Sequence, residues 1–173
     1  MDLKAKFRHV YDFPEKGIDF IDITTVLGDK DAFKEAMDRL IEAAKEFEFD
    51  VVVAPESRGF ILGTPIAYAL GAAFVPIRKA GKLPYDTIKY DYALEYGKNT
   101  LEIHSDAIKK GQKVLVVDDL LATGGTTLAN IKLVEKLGGE VVGVLYMIEL
   151  TYLNGRDKLI EENYEVRSMV QFN

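Results

Sequence analysis

Apolar residues recur along the chain in two alternating patterns. Over residues 31–47 they fall at helical spacing on one side of the segment, which predicts an amphipathic helix. Short aliphatic and β-branched runs predict buried strands, and these are residues 51–53, 73–77, 113–117, 140–147 and 165–170. Further helical patterns end at Gly71 or occupy residues 124–137 and 152–161. Strands that alternate with helices predict an α/β fold, with a mostly parallel central sheet flanked by helices.

The helix that ends at Gly71 has no clear first residue in the sequence. Pro65 fits a first helical turn and Thr64 before it can cap that turn, so its start stays open.

Residues 78–91 show neither pattern. Gly81 and Pro84 interrupt this segment, and its cations are Arg78, Lys79, Lys82 and Lys89. A long loop inside a compact domain is usually functional or mobile, although a solvated surface excursion is the alternative.

Composition limits the class of protein. The 173 residues fit one compact domain, and 48% hydrophobic with 29% charged residues is typical of a globular protein. The absence of cysteine excludes disulfides, thiolate metal sites and a cysteine nucleophile. The chain begins without a signal-like apolar stretch and has no apolar run long enough for a bilayer, so we expect a cytoplasmic protein without membrane contact. A net charge of -6 argues against a nucleic-acid partner.

Residues 114–126 carry the most specific chemical signal. Four aliphatic residues are followed by Asp118 and Asp119 and then by a turn of small and hydroxyl residues that opens a helix. Backbone N–H groups at such a helix start bind phosphate, and carboxylates at the end of a parallel strand can accept hydrogen bonds from sugar hydroxyls. The pattern therefore predicts a ribose 5-phosphate site built from Asp118, Asp119, Ala122, Thr123, Gly124, Gly125 and Thr126.

Other interpretations of this segment are weaker. A simple turn can contain acids and paired glycines. It does not need the aliphatic run before it or the hydroxyls within it, so this interpretation leaves those residues unexplained. Neither the ATP-type phosphate loop nor the Gly-x-Gly-x-x-Gly dinucleotide motif occurs anywhere in the chain.

The segment resembles the phosphoribosyl pyrophosphate (PRPP) motif of the type I phosphoribosyltransferases. Further blocks resemble the adenine-specific members of that family in order and spacing, and these are residues 13–24, 56–60, 78–84, 94–97 and 149–150. The resemblance implies an enzyme of purine salvage that converts adenine and PRPP to AMP and pyrophosphate. It also implies the type I fold as one domain over residues 1–173, with a small hood within residues 1–30 and a mobile catalytic loop over residues 78–96.

The same resemblance implies roles for residues around the leaving pyrophosphate. Glu95 is the general acid/base near N7 of the purine, and Arg58 is also catalytic. The pyrophosphate contacts are Ser57, Arg58, Arg78, Lys79 and Lys82. In the family Arg78 reaches the site of a neighbouring subunit, which implies a homodimer.

The purine itself is expected between the hood and a late strand. The residues implied are Ile18, Asp19, Phe20 and Leu150. Relatives often carry a basic residue where this chain has Ile21, and Asp19 is an unusual acid beside Phe20. Main-chain groups near Asp19 would read the edge of the base.

Magnesium is expected to bind together with PRPP. Mg²⁺ prefers phosphate oxygens and water to an all-protein site, so we expect no direct protein ligand and water-bridged contacts to Asp118 and Asp119.

Two alternatives share the PRPP motif. A 6-oxopurine phosphoribosyltransferase, for hypoxanthine, guanine or xanthine, commonly places a lysine on the late strand, and residues 146–150 contain none. A non-catalytic regulator that senses PRPP often carries a DNA-binding domain ahead of the core. Only residues 1–50 precede the first predicted core strand here, and they resemble the hood and its helix.

Overall fold

The protein is described by a computed structural model over residues 1–93 and 98–173. It divides into two compact units, Met1–Arg39 and Leu40–Asn173. The first unit contains the segment predicted as a hood. Its elements are β1 (Arg8–Tyr11), β2 (Asp19–Asp22), α1 (Thr24–Leu27) and the first part of α2 (Lys30–Ala44). The strands β1 and β2 form an antiparallel pair in which Val10 faces Phe20.

The second unit contains the central sheet. Its strands are β3 (Val51–Pro55), β4 (Ala73–Lys79), β5 (Thr87–Ala93), β6 (Lys98–His104), β7 (Lys113–Leu121), β8 (Glu140–Leu150) and β9 (Val166–Phe172). Its remaining helices are α3 (Arg58–Leu70), α4 (Gly125–Lys136) and α5 (Gly155–Glu161). In the described residues the strand order is β5-β6-β4-β3-β7-β8-β9. The five strands from β4 to β9 in this order are parallel, and β6 and β5 extend one edge in antiparallel pairing. The predicted α/β fold with a mostly parallel sheet is confirmed.

The core explains why the central strands are continuously apolar. All five residues of β3 are buried, because helices cover a parallel sheet on both faces. Val51 and Val53 pack in one cluster with Leu133 of α4. Each such side chain stabilises the fold by about 1.5–3 kcal/mol when it is fully buried. Strands β3 and β7 run parallel, so their carboxyl ends meet at one edge of the sheet. None of the helices in the described chain is long and apolar enough to cross a membrane.

A helix start near Thr64 and Pro65 is wrong. Helix α3 begins at Arg58, and Pro65 lies in its interior. Gly59 and Gly63 hide this start in the sequence, because glycine disfavours helices. Both are needed for close packing, since a Cβ on Gly63 would lie 2.9 Å from the Phe74 ring and one on Gly59 3.1 Å from the Pro55 ring.

A continuous loop over residues 78–91 is also wrong. Strand β5 pairs with β6 along its whole length. Ile88, Tyr90 and Tyr92 alternate with polar residues and pack against the core, so a period of two was present in the sequence. The charged residues between them, Lys89 and Asp91, concealed it. The mobility of this arm, residues 78–93, stays a prediction, and residues 94–97 lie outside the described part of the chain.

Candidate active site

A cleft of about 440 Å³ opens where strands β3 and β7 end. Its walls are residues 55–58, 79, 92, 101, 118–120 and 122–127. The cleft therefore brings together the turn, both acids and the arginine that the sequence predicts as ligand-binding residues. Open α/β sheets bind ligands at this carboxyl edge.

The turn after β7 exposes the amino end of helix α4. Gly124 has φ of 82°, a left-handed conformation that favours glycine, and Gly125 begins the helix. The first N–H groups of a helix lack partners within it and carry its positive end, so this turn can cradle an anion. Thr127 does not contribute its hydroxyl, which bonds to the buried Tyr146 hydroxyl instead.

The two acids differ in environment. Asp119 is 6% exposed and accepts a hydrogen bond from the Arg58 guanidinium. Asp118 accepts the Asp119 backbone N–H at 2.8 Å. The Asp118 side chain lines the cleft, but the surrounding protein shields it from water. This desolvation, together with the nearby charge of Asp119, raises the pKa of Asp118 well above its usual value. Bound sugar hydroxyls can donate to this carboxyl group.

Arg58 and Ser57 lie where strand β3 turns into helix α3. The Glu56–Ser57 peptide bond is cis, and Ser57 is the residue immediately before the helix. The sequence assigns Arg58 to pyrophosphate and Asp119 to ribose, yet the two form an ion pair. The predicted subsites are thus adjacent, and Arg58 can turn from Asp119 to a ligand.

The predicted cations of the arm do not all line the cleft. Lys79 does, whereas Arg78 donates to Glu56 at 3.2 Å and Lys82 is exposed. Glu56 also accepts the Lys79 backbone N–H at 2.8 Å. Burial alone would raise the pKa of Glu56, but the Lys79 N–H and Arg78 outweigh it and lower that pKa. Sequence analysis gave Glu56 no role, and its only signal was its place between Pro55 and Ser57.

Gly155, at the start of α5, supports the turn from outside the cleft. A Cβ on Gly155 would lie 2.3 Å from the Ala122 carbonyl oxygen, and one on Gly124 would lie 3.2 Å from the Gly155 carbonyl oxygen. The backbones of these two segments therefore touch. Sequence analysis missed Gly155, because a glycine before a helix is also an ordinary turn signal.

A buried acid fixes the chain beside Gly155. Glu149 is 2% exposed and accepts Arg156 Nε at 2.8 Å, Ser168 Oγ at 2.5 Å and Gln171 Nε2 at 3.1 Å. Burial would raise the pKa of Glu149, but these donors, led by Arg156, lower it. Leu150, a predicted base contact, follows directly and is 8% exposed at the end of β8.

Gly155→Ala is expected to damage the turn. The added methyl meets backbone atoms that cannot rotate away, and overpacking of this kind costs about 1–3 kcal/mol. Differential scanning calorimetry should show a melting temperature lower by roughly 3–10 °C, and PRPP affinity should fall in titration calorimetry. A wild-type melting temperature together with wild-type PRPP affinity would contradict the contact between Gly155 and Ala122.

The predicted hood residues lie in the first unit. Phe20 on β2 is half-buried and meets the Phe13 ring edge-on at 5.3 Å, and Ile18 is exposed. The carboxylate of Asp19 lies 2.7 Å from His9 Nδ1. Their roles in base binding stay predictions.

Two further predictions are not tested by these contacts: the role of Glu95, and magnesium binding without a direct protein ligand. Glu95 lies among residues 94–97, outside the described chain. No group of three or more His, Cys, Asp or Glu side chains in residues 1–93 and 98–173 could hold a metal ion.

Comparison with known proteins identifies the class. The family described as the phosphoribosyl transferase domain matches residues 24–171. With the parallel sheet and the glycine turn at its carboxyl edge, this match defines a phosphoribosyltransferase.

The particular family follows from full-length relatives. The chain is 65% identical over 172 residues to the adenine phosphoribosyltransferase of Caldicellulosiruptor saccharolyticus, covering 99% of this chain and 97% of the relative. The crystal structure of adenine phosphoribosyltransferase from Thermoanaerobacter pseudethanolicus superposes with a TM-score of 0.95 at 51% identity, over 99% of this chain and 98% of that one. The Saccharomyces cerevisiae enzyme, crystallised with an imino-altritol bisphosphate and adenine, gives a TM-score of 0.89 at 40% identity, over 97% and 96%. The chain belongs to the adenine phosphoribosyltransferase family.

Proposed function

We propose that the protein transfers the phosphoribosyl group of PRPP to adenine, giving AMP and pyrophosphate for purine salvage. The observation that carries this proposal is the single cleft in which Asp118, Asp119 and Arg58 face the amino end of helix α4. Such a cleft offers an anion cradle, acceptors for a diol and a cation for a second anionic group. PRPP presents these three features on one small molecule.

Each half of PRPP is bound by its own set of residues. Residues 122–126 bind the 5′-phosphate, and Asp118 and Asp119 accept from the ribose hydroxyls. Ser57 and Arg58 bind the pyrophosphate with Lys79, which lines the same cleft. Arg58 leaves Asp119 as pyrophosphate arrives, because a planar guanidinium pairs well with phosphate oxygens.

The reaction breaks the bond between ribose C1 and pyrophosphate and forms a bond from C1 to the purine nitrogen. The departing pyrophosphate takes the electron pair, and Arg58 and Lys79 compensate its charge. The purine loses a proton as the new bond forms, and the Glu95 carboxylate accepts this proton at N7. Closing the arm, residues 78–93, over the cleft excludes water that would otherwise hydrolyse the donor.

Magnesium enters as part of the substrate complex with PRPP. Carboxylate oxygens suit this ion, and Asp118 and Asp119 would hold it through bridging water. The ion supplies charge compensation on the pyrophosphate oxygens. We also propose a cytoplasmic homodimer. In it Arg78 leaves Glu56 and binds the pyrophosphate in the partner subunit's site.

Product identification tests the proposal. The protein is incubated with magnesium, PRPP and each of adenine, hypoxanthine, guanine and xanthine, and the nucleotides are resolved by chromatography. AMP should form with equimolar pyrophosphate, and only when adenine is present. PRPP binding without any nucleotide would favour the regulator instead.

Glu95→Gln is expected to lower kcat by about 10² to 10⁴ with a modest change in KM, because the amide cannot exchange the proton. Steady-state kinetics at saturating PRPP measures this split. Glu48→Gln, an exposed surface change, serves as the control. Full activity of Glu95→Gln would leave Glu95 without a catalytic role.

A further inference from the structure

A tyrosine on the arm reaches the phosphate turn. Tyr92 on β5 lines the cleft, and its hydroxyl lies 3.2 Å from the Thr126 hydroxyl. Asn99 is opposite Tyr92 on β6 and donates its side-chain amide to the phenol oxygen at 3.5 Å. The three side chains form one hydrogen-bonded row that ends in the predicted phosphate cradle.

The chemistry of the three groups allows donation along the row toward the cleft. The amide nitrogen of Asn99 can only donate, so the phenol oxygen of Tyr92 accepts from it. The single phenol proton can then be donated to the next oxygen, that of Thr126. When the Thr126 oxygen accepts this proton, its own proton is available to the cleft.

This direction suits one class of ligand. The oxygens of a phosphate dianion accept hydrogen bonds and offer no proton in return. A row that donates toward the cleft at every step therefore matches a phosphate, and donors polarised in one direction strengthen one another.

We propose that Tyr92 and Asn99 are positioning residues for the 5′-phosphate, which they orient through the hydroxyl of Thr126. The proposal rests on the proposed function, because residues 122–126 must receive that phosphate. It adds Tyr92 of the arm and Asn99 of β6 to the phosphate site and gives the arm a direct contact with the occupied cradle.

Tyr92→Phe isolates the effect, since it keeps the ring and removes only the hydroxyl. One neutral hydrogen bond changes an equilibrium by about 3- to 10-fold. We expect the Kd for ribose 5-phosphate and the KM for PRPP to rise by that factor. The kcat, the KM for adenine and the Kd for magnesium pyrophosphate should stay within two-fold.

Two matched variants complete the design. Tyr164→Phe removes a phenol that donates to Glu135 at 2.5 Å near the other end of helix α4, and it should leave every constant unchanged. Thr126→Val removes the intermediate hydroxyl. In that background Tyr92→Phe should weaken ribose 5-phosphate no further, because the row is already interrupted.

Titration calorimetry with ribose 5-phosphate and with pyrophosphate separates the outcomes. Selective weakening of ribose 5-phosphate, abolished in the Thr126→Val background, is the expected result. Wild-type affinity in Tyr92→Phe, or equal weakening of both ligands, would overturn the inference. Formation of AMP by the wild-type protein is measured alongside, so failure of the proposed function is recognised separately.

Discussion

Adenine is expected to exceed hypoxanthine in kcat/KM by about 10⁴, because a site that hydrogen-bonds one pattern of donors and acceptors leaves buried groups unpaired against the opposite pattern. Adenine presents an amino donor at C6 beside an unprotonated N1. Hypoxanthine presents an oxygen acceptor beside a protonated N1. The pocket must favour one of them.

The late strand supports adenine. Residues 146–150 contain no lysine for a C6 oxygen, and the one acid there, Glu149, is saturated by donors from Arg156, Ser168 and Gln171. Reading of the base by main-chain groups near Asp19 stays a prediction. Initial rates with both bases at one PRPP concentration test this, and AMP hydrolysis is excluded by a control without enzyme. Comparable values would promote the 6-oxopurine alternative.

Replacing Asp118 and Asp119 together by asparagine is expected to raise the Kd for PRPP by about 10² to 10⁴. Hydrogen bonds to charged groups contribute roughly 1.5–3 kcal/mol each, and both carboxylates are lost. The fold should survive. Both side chains line the cleft, asparagine keeps nearly the shape of aspartate, and the half-exposed Arg58 can turn to water.

A control with the same change in charge uses two exposed acids of helix α5. Asp157→Asn combined with Glu161→Gln removes two charges outside the cleft and should leave the Kd unchanged. Titration calorimetry gives both affinities, and circular dichroism verifies the folds. Unaltered PRPP binding in the Asp118 and Asp119 variant would remove both acids from the site.

The parts of the fold that bury a continuous apolar face were predictable. Strands β3, β7 and β8 are aliphatic because both faces of a parallel sheet are covered, and α2 shows its single apolar stripe. Strands β1 and β2 have four residues each, β1 is largely exposed and β2 fully buries only Ile21, so hydrophobic burial left little pattern in their sequence.

The site was predictable where one segment of sequence carries it. The turn after β7 is local, so Asp118 and Gly124 appear together in the sequence with their helix. The contacts of Arg58 with Asp119 and of Tyr92 with Thr126 join residues far apart in the chain. Only the strand order brings them together, and periodicity within a segment contains no information about such pairs.

The buried carboxylate of Glu149 bears on when the cleft can form during protein synthesis. Its donors lie on α5 and β9, which are synthesised after β8, and Gly155 beside them supports the turn at Ala122. A nascent chain that has completed only β8 already contains every predicted ligand-binding residue. It would nevertheless hold an acid without its donors, which is strongly unfavourable inside a protein. We therefore expect the cleft to mature only after α5 and β9 have been synthesised, when β9 joins the sheet.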